Sequence, residues 1–281
     1  MNGKFAKNEQ FGISYYTAPA FDKTGIVRHA YSTRVGGVSN LTFDSLNLSI
    51  LTSDELENVK ENRQRFFQAV GINPDSLVGA HQVHKDSIYQ VSIKHRGRGA
   101  YDPKTVIPAT DALMTNEAGI ALTAFFADCV PVFFLDPAKK VIAIAHAGWK
   151  GTVAKIAAKT AKAMQQTYGC AAEDILAAIG PSIGPCHYQV DMIVIDQVKE
   201  AFPDYWAELF VDSKDLDEIN LNKNSRGQLD LWKANSMQLT DIGIPAENIT
   251  TARLCTYCNQ DEFFSHRAGM AGRQAAVIML K

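Results

Sequence analysis

The chain has no run of ~18 uncharged apolar residues, so none of its segments could cross a bilayer as a helix. Its first residues, MNGKFAKNEQFGISYY, do not set a basic stretch before an apolar one, and no secretory leader is expected. Cysteine is sparse, with five residues at 129, 170, 186, 255 and 258, an odd number too thinly spread for a disulfide framework. Reduced thiols and a cytoplasmic location are the expectation. An excess of charge of one sign is also missing: 28 Lys and Arg stand against 30 Asp and Glu. Bulk charge therefore gives no reason to bind nucleic acid or an acidic membrane. The short basic stretch KHRGRG at 94–99 reads as a solvated loop. Internal repeats, low-complexity tracts and linkers are absent too.

What is present suits a large core. At 46% hydrophobic over 281 residues, the chain reads as one domain spanning residues 1–281. Three apolar runs between 118 and 146, AGIALTAFF, VPVFFLD and VIAIAHAG, read as central strands buried on both faces. LVGAHQVHKDSIYQVSI reads as two short strands meeting around Lys85 and Asp86. Helical spacing places Leu56, Val59, Phe66, Phe67 and Val70 on one face. A second helix is predicted over TVAKIAAKTAKAMQQTYG, stopping at Gly169, and others over MIVIDQVKEAF and LDLWKANSMQLTDIGI. The polar stretch 203–228 reads as an insertion. Strands and helices interleave irregularly, which predicts an α+β, mixed α/β fold rather than a regular βαβ array.

The chemistry gathers where two of these strands meet. ADCVPVFFLDPAKKVIAIAHAG reads as a β-hairpin turning at DPAK. Pairing Leu135 with Lys140 puts Cys129 opposite His146, with Cβ atoms ~4.5–5.5 Å apart. One metal ion can bridge that gap at ~2.3 Å to sulfur and ~2.1 Å to nitrogen. A third ligand is offered by HQVHKD, in which His81 and His84 face opposite sides of a strand; spacing alone leaves the choice open. After His146, the glycines of HAGWKGT allow close backbone approach, and Lys150 and Thr152 near a helix start suit an anion such as phosphate. Asp128 is the nearest acid in sequence, but on a strand it faces away from Cys129, which favours a structural role at the core edge. A single CxxC at Cys255 and Cys258 is weak evidence for structural zinc and reads more simply as two reduced thiols.

In order along the chain, STRVGGVS, QVH, TDALMT, ADCVPV, HAGWKGT, AIGPSIGPCHYQV and CTYCNQDEFFSHR resemble the YfiH or laccase-domain family, from about residue 26 onward. That family was formerly described as multicopper polyphenol oxidase, and its members are described as purine nucleoside phosphorylases with adenosine deaminase activity. The resemblance implies a mixed β-sandwich flanked by helices in four layers, α/β/β/α. It implies a metal held by His84, Cys129 and His146, choosing His84 over His81. It also implies purine nucleosides and phosphate as substrates, adenosine and inosine first and methylthioadenosine as a further case. For phosphate or ribose, Arg34, Lys150 and Thr152 are the candidate contacts, with Arg267 and Arg273 behind them. The family's Phe-Phe-Ser-Tyr-Arg-Arg reads here as Phe263, Phe264, Ser265, His266, Arg267, Ala268, which leaves the second arginine's role without a residue.

Three protein ligands leave one position of a tetrahedral zinc open, as catalytic sites do, and copper competes at the same donors. A multicopper laccase is disfavoured, since only seven histidines are present and none forms a His-x-His pair. The remaining rivals are a copper-dependent phenol oxidase using the same three residues, and a metal-free hydrolase with Cys129 as nucleophile and His146 as base. No nucleic-acid or membrane partner is expected, and a homodimer is left open.

Overall fold

A computed structural model describes residues 5–211 and 226–281. Most of the polar stretch 203–228, read as an insertion, lies outside them. Among the described residues the strands form three sheets. The first runs β1 (Ala6–Gln10), β2 (Ile13–Thr17), β3 (Val27–Ser32), β15 (Gln274–Leu280), β7 (Ala121–Phe126) and β4 (Leu77–Gly79). The second runs β14 (Ile249–Thr251), β10 (Leu176–Ile179), β8 (Val130–Asp136), β9 (Val141–Ala147), β6 (Ala112–Thr115) and β5 (Ile88–Gln90). A small third sheet pairs β11 (Gln189–Asp191), β13 (Arg226–Leu229) and β12 (Phe210–Val211). The helices are α1 (Pro19–Asp22), α2 (Leu56–Ala69), α3 (Trp149–Val153), α4 (Ile156–Tyr168), α5 (Met192–Ala201) and α6 (Leu231–Asp241).

The expected layering follows from which face each side chain takes. Along β8 and β9, Phe133, Leu135, Ile142 and Ile144 meet Leu122, Ala124, Phe126, Ala276 and Ile278 of the first sheet in one buried cluster. The alternate residues Val132, Phe134, Ala143 and Ala145 pack against Ile156, Ala157, Ala161 and Met164 of α4 and against α5 and α6. Both faces being covered explains the unbroken apolar runs. On the outside of the first sheet, Phe66 and Phe67 of α2 pack on Ala30, Ala121, Ala275 and Val277. The fold is thus mixed α/β, with helices on the outer faces of two stacked sheets.

Three local expectations need correction. The β8–β9 hairpin pairs Asp136 with Val141 and Val130 with Ala147, not Leu135 with Lys140. Asp136 stays in the strand, where its Oδ1 accepts from the amide of Lys139 at 2.8 Å, and Lys140 takes a left-handed conformation with φ 53°. The turn therefore spans 137–140. His146 now lies opposite Pro131, and Cys129 sits just beyond the ladder. The even shift keeps Cys129 on the same face as His146, so the two still converge.

Residues 77–93 form no hairpin either, because β4 and β5 belong to different sheets. The connection crosses between them with its polar groups bound elsewhere. Gln82 exchanges two 2.9 Å hydrogen bonds with the backbone of Phe125, and the amides of 83–85 are taken up by Asp111. Finally, the helix expected from Thr152 begins at Trp149 and breaks at Lys155, φ 60°. The carbonyl of Thr152 accepts from Gln238 Nε2 at 3.0 Å and from the amide of Lys155 at 3.0 Å, which closes α3 one turn early.

Candidate metal centre

Three separated segments bring their side chains to the same end of the inter-sheet layer. His84 lies in the crossing loop with φ 60°, Cys129 in the bend between β7 and β8, and His146 near the end of β9. One donor atom from each lies within 4.8 Å of the other two. The rings of His84 and His146 stand nearly edge-to-face with centroids 4.7 Å apart, and Phe126 covers His146 at 5.4 Å.

Asp111 organises this cluster. Its side chain is fully buried. Oδ1 accepts from the amide of His84 and from Nδ1 of His146, each at 2.9 Å. Oδ2 accepts from the amides of Val83 at 3.2 Å and Lys85 at 2.9 Å. An ionised carboxylate only accepts, so Nδ1 of His146 carries a proton and Nε2 is left for Cys129 or a cation. The three amide bonds hold His84 in a left-handed conformation that a histidine rarely adopts unaided. Burial alone would raise the Asp111 carboxyl, but the hydrogen bonds from His146 and from the amides of Lys85 and His84 bring it below its ordinary value.

The charges suit metal binding. Burial opposes ionisation of Cys129, yet the neighbouring His146 and His84 outweigh it and draw the thiol down to about 6. Burial likewise opposes charge on His146, while Cys129 and Asp111 push it up to about 9. A thiolate at neutral pH is the form that ligates, and a cation bound beside it would displace the proton from Nε2 of His146. Two imidazoles and one thiolate are a borderline-soft donor set that fits zinc or copper and not magnesium or calcium. His84 is exposed and Cys129 half-buried, so the cluster opens toward solvent on one side.

Two cavities meet there. The larger, about 430 Å³, is lined by Ser49, Thr52, His81, Gln82 and Arg273 as well as the three clustered residues. The smaller, about 250 Å³, is bounded by Trp149, Ile183, Tyr188, Leu231 and Arg267. His84, Cys129 and His266 line both. Burial lowers the Arg273 guanidinium from its usual value, with Cys129 and Asp128 opposing that effect, and Nη1 is held by the carbonyls of Ala271 at 2.8 Å and Gly272 at 2.9 Å.

The other residues picked out in the sequence lie elsewhere. Arg34 bonds the carbonyls of Asp44 and Gln260 and lines neither cavity. Thr152 is buried and accepts from Asn235 Nδ2 at 3.1 Å, fastening α3 to α6. Lys150 is exposed, with Nζ 5.6 Å from the Trp149 ring. Asp128 is structural in geometry: it sits at φ 81°, Oδ1 accepts from Thr256 Oγ1 at 2.6 Å and Oδ2 from the amide of Arg267 at 2.7 Å. Spacing missed Asp111, Tyr188 and His266 as site residues, because their approach depends on contacts far apart in the chain.

Residues 28–281 match the family described as multi-copper polyphenol oxidoreductase laccase. The chain is 38% identical over 251 residues to the purine nucleoside phosphorylase YlmD of Geobacillus stearothermophilus, covering 88% of each chain. It is 33% identical over 272 residues to the purine nucleoside phosphorylase YfiH of Escherichia coli, covering 95% of this chain and all of the other. The crystal structure of YlmD from Geobacillus stearothermophilus superposes with a TM-score of 0.89 at 34% identity, over 99% of this chain and 98% of that one. A structure of YfiH from Bacillus licheniformis gives the same TM-score at 33% identity, over 99% of both chains. By sequence, by fold and by the length over which both extend, this chain belongs to the laccase-domain family that includes YfiH and YlmD.

Proposed function

We propose that this chain is a purine nucleoside phosphorylase that cleaves adenosine and inosine, and methylthioadenosine as a further substrate, at a zinc site of His84, Cys129 and His146. The names of its relatives support the reaction class. The observation that carries the reading is the meeting of two chemically different cavities at one cluster: the larger presents Arg273, His81 and His266, and the smaller presents Trp149 and Tyr188. Phosphate suits the first, and the face of a purine suits the second.

In phosphorolysis a phosphate oxygen bonds to C1′ of the ribose while the C1′–N9 bond breaks. The electron pair leaves with the base, which takes up a proton, and ribose 1-phosphate remains. Arg273 neutralises the phosphate and fixes its approach, and His266, reaching both cavities, is placed to exchange a proton with the base. Trp149 and Tyr188 hold the purine plane. Asp111 keeps His146 in one tautomer and one orientation throughout. Zinc, when bound, supplies Lewis acidity next to the reacting centre, and copper would compete for the same donors. Adenosine deamination, in which water replaces the 6-amino group and ammonia leaves, is proposed as a second reaction of the same pocket. Arg34 and Thr152 serve in this proposal by holding the surrounding framework, and Lys150 stands exposed beside Trp149.

The test is metal analysis of untagged protein purified without added metal, with product analysis on adenosine and inosine with and without phosphate. One metal equivalent lost on substitution of Cys129, together with phosphate-dependent release of base and ribose 1-phosphate, is expected. Base release that ignores phosphate would overturn the phosphorylase reading. Copper with oxygen-dependent phenol turnover would replace it by an oxidase. Full activity in His84→Ala alongside none in Cys129→Ala would replace it by a metal-free Cys-His hydrolase.

A further inference from the structure

A second group of donors stands apart from His84, Cys129 and His146. Cys186, His187, Cys255 and Cys258 each offer an atom within 4.8 Å of the others. Sγ of Cys186 lies 3.5 Å from Sγ of Cys258, which in turn lies 3.2 Å from Nδ1 of His187. A tetrahedral ion with bonds of ~2.3 Å to sulfur and ~2.1 Å to nitrogen holds such pairs ~3.5–3.8 Å apart, so shifts of a few tenths of an ångström admit it. A disulfide would instead bring two sulfurs to ~2.05 Å.

The surroundings are built for this arrangement. Cys255 is buried, and its Sγ accepts from the amide of Gly184 at 3.2 Å. At Gly184 a Cβ would come within 3.2 Å of the Cys255 Cβ and 2.6 Å of the Trp232 ring, so only glycine brings this loop so close. Turns close each donor pair: the amide of His187 bonds the carbonyl of Gly184 at 3.1 Å, and that of Asn259 the carbonyl of Cys255 at 3.1 Å. The His187 ring is stacked on Tyr257 with centroids 4.4 Å apart, which fixes the direction of Nδ1.

We propose that Cys186, His187, Cys255 and Cys258 form a second cation site for zinc or a similar thiophilic divalent ion, fastening the 184–188 loop to the 255–258 loop. Four protein donors leave no open position, which makes the site structural and not catalytic. Its position gives it a purpose. The first loop leads directly into Tyr188, a wall of the smaller cavity, and the second carries Thr256, which holds Asp128 beside Cys129. Arg267 adds a third tie, reaching the carbonyl of Gln189 at 3.1 Å. The ion therefore fixes the far wall of the cavity without touching whatever occupies it.

The experiment uses the full-length, reduced protein loaded with Co²⁺, with bound metal counted and thiolate-to-cobalt absorption recorded. Wild type is expected to bind two equivalents, Cys186→Ser/Cys258→Ser one, and His84→Ala/Cys129→Ser one with most of the absorption retained. Chelator is expected to lower the melting temperature of the His84→Ala/Cys129→Ser variant and to leave unchanged that of the same variant carrying Cys186→Ser and Cys258→Ser as well. Because Cys186 and Cys258 are exposed, their replacement by serine does not threaten folding. One equivalent in wild type that survives in Cys186→Ser/Cys258→Ser, no loss of metal in that variant, or a Cys186–Cys258 disulfide in protein purified under reducing conditions would each overturn the proposal.

Discussion

Asp111→Asn changes one buried atom from acceptor to donor, and the structure specifies the damage. The amide nitrogen must take the place of either Oδ1 or Oδ2. At Oδ1 it faces the amide of His84 and Nδ1 of His146; at Oδ2 it faces the amides of Val83 and Lys85. Either orientation leaves two donors without an acceptor, of which only Nδ1 of His146 is fully buried and the loop amides are partly so, at up to about 1–3 kcal/mol each. The expected loss of stability is thus in the lower part of about 2–6 kcal/mol, since water reaches part of the loop and a buried charge is also removed. Urea denaturation of metal-stripped wild type and variant at neutral pH measures it. Cation affinity, read by competition with a chromophoric chelator, is expected to fall about 10–100-fold, because His146 loses the partner that orients it. A variant within about 0.5 kcal/mol of wild type would refute the hydrogen-bond accounting. Reduced stability with unchanged cation affinity would show that Asp111 supports the loop and has no part in orienting His146.

Gly148→Ala would set a Cβ 2.9 Å from Sγ of Cys129 and 3.3 Å from Cδ2 of His84. Overpacking of this kind costs about 1–3 kcal/mol, and displacement of the thiolate is expected to lower cation affinity at least about tenfold in the same competition assay. Thr256→Val leaves Oδ1 of Asp128 without its 2.6 Å donor, with an expected loss of about 1–3 kcal/mol by urea denaturation; Thr256→Ser should recover most of it. His29 is buried, and its Nε2 accepts from the amide of Ala18 at 2.7 Å. Burial lowers it from 6.5 to about 4, against the pull of Asp22. The unfolded chain therefore binds a proton that the folded one refuses, and the stability this confers is present above pH 6.5 and lost as pH falls toward 4. The span corresponds to about 3 kcal/mol. His29→Gln should flatten the pH dependence of urea stability across that window; an unchanged slope would exclude His29 as its source.

The strands that carry the site were the most legible part of the chain, because β8 and β9 are buried on both sides and their apolar runs are unbroken. The contact of Cys129 with His146 was foreseen for a sound reason and from a wrong register. Face is conserved under an even shift, so the error of two residues did no harm to the pairing. Asp136 caused that error by remaining in the strand and capping its own turn. The crossing loop from β4 to β5 was not legible, since its amides are satisfied by a carboxylate more than twenty residues away rather than by a hairpin ladder. The approach of Cys186 and His187 to the Cys255 and Cys258 pair was hidden for a similar reason. They are brought alongside by the bridge between Ser182 and Cys255, which no local pattern announces.

The placement of β15 also bears on how the molecule is made. This strand lies between β3 and β7 in the first sheet, pairing Val277 with Ala30 on one side and with Thr123 on the other. Until it arrives, β3 and β7 each present an unpaired apolar edge, and the loop closure required spans nearly the whole chain. High contact order of this kind slows folding and prolongs the interval in which such edges can find other chains. Chaperone dependence and yield during biosynthesis should thus answer to substitutions in β15 more sharply than equilibrium stability does.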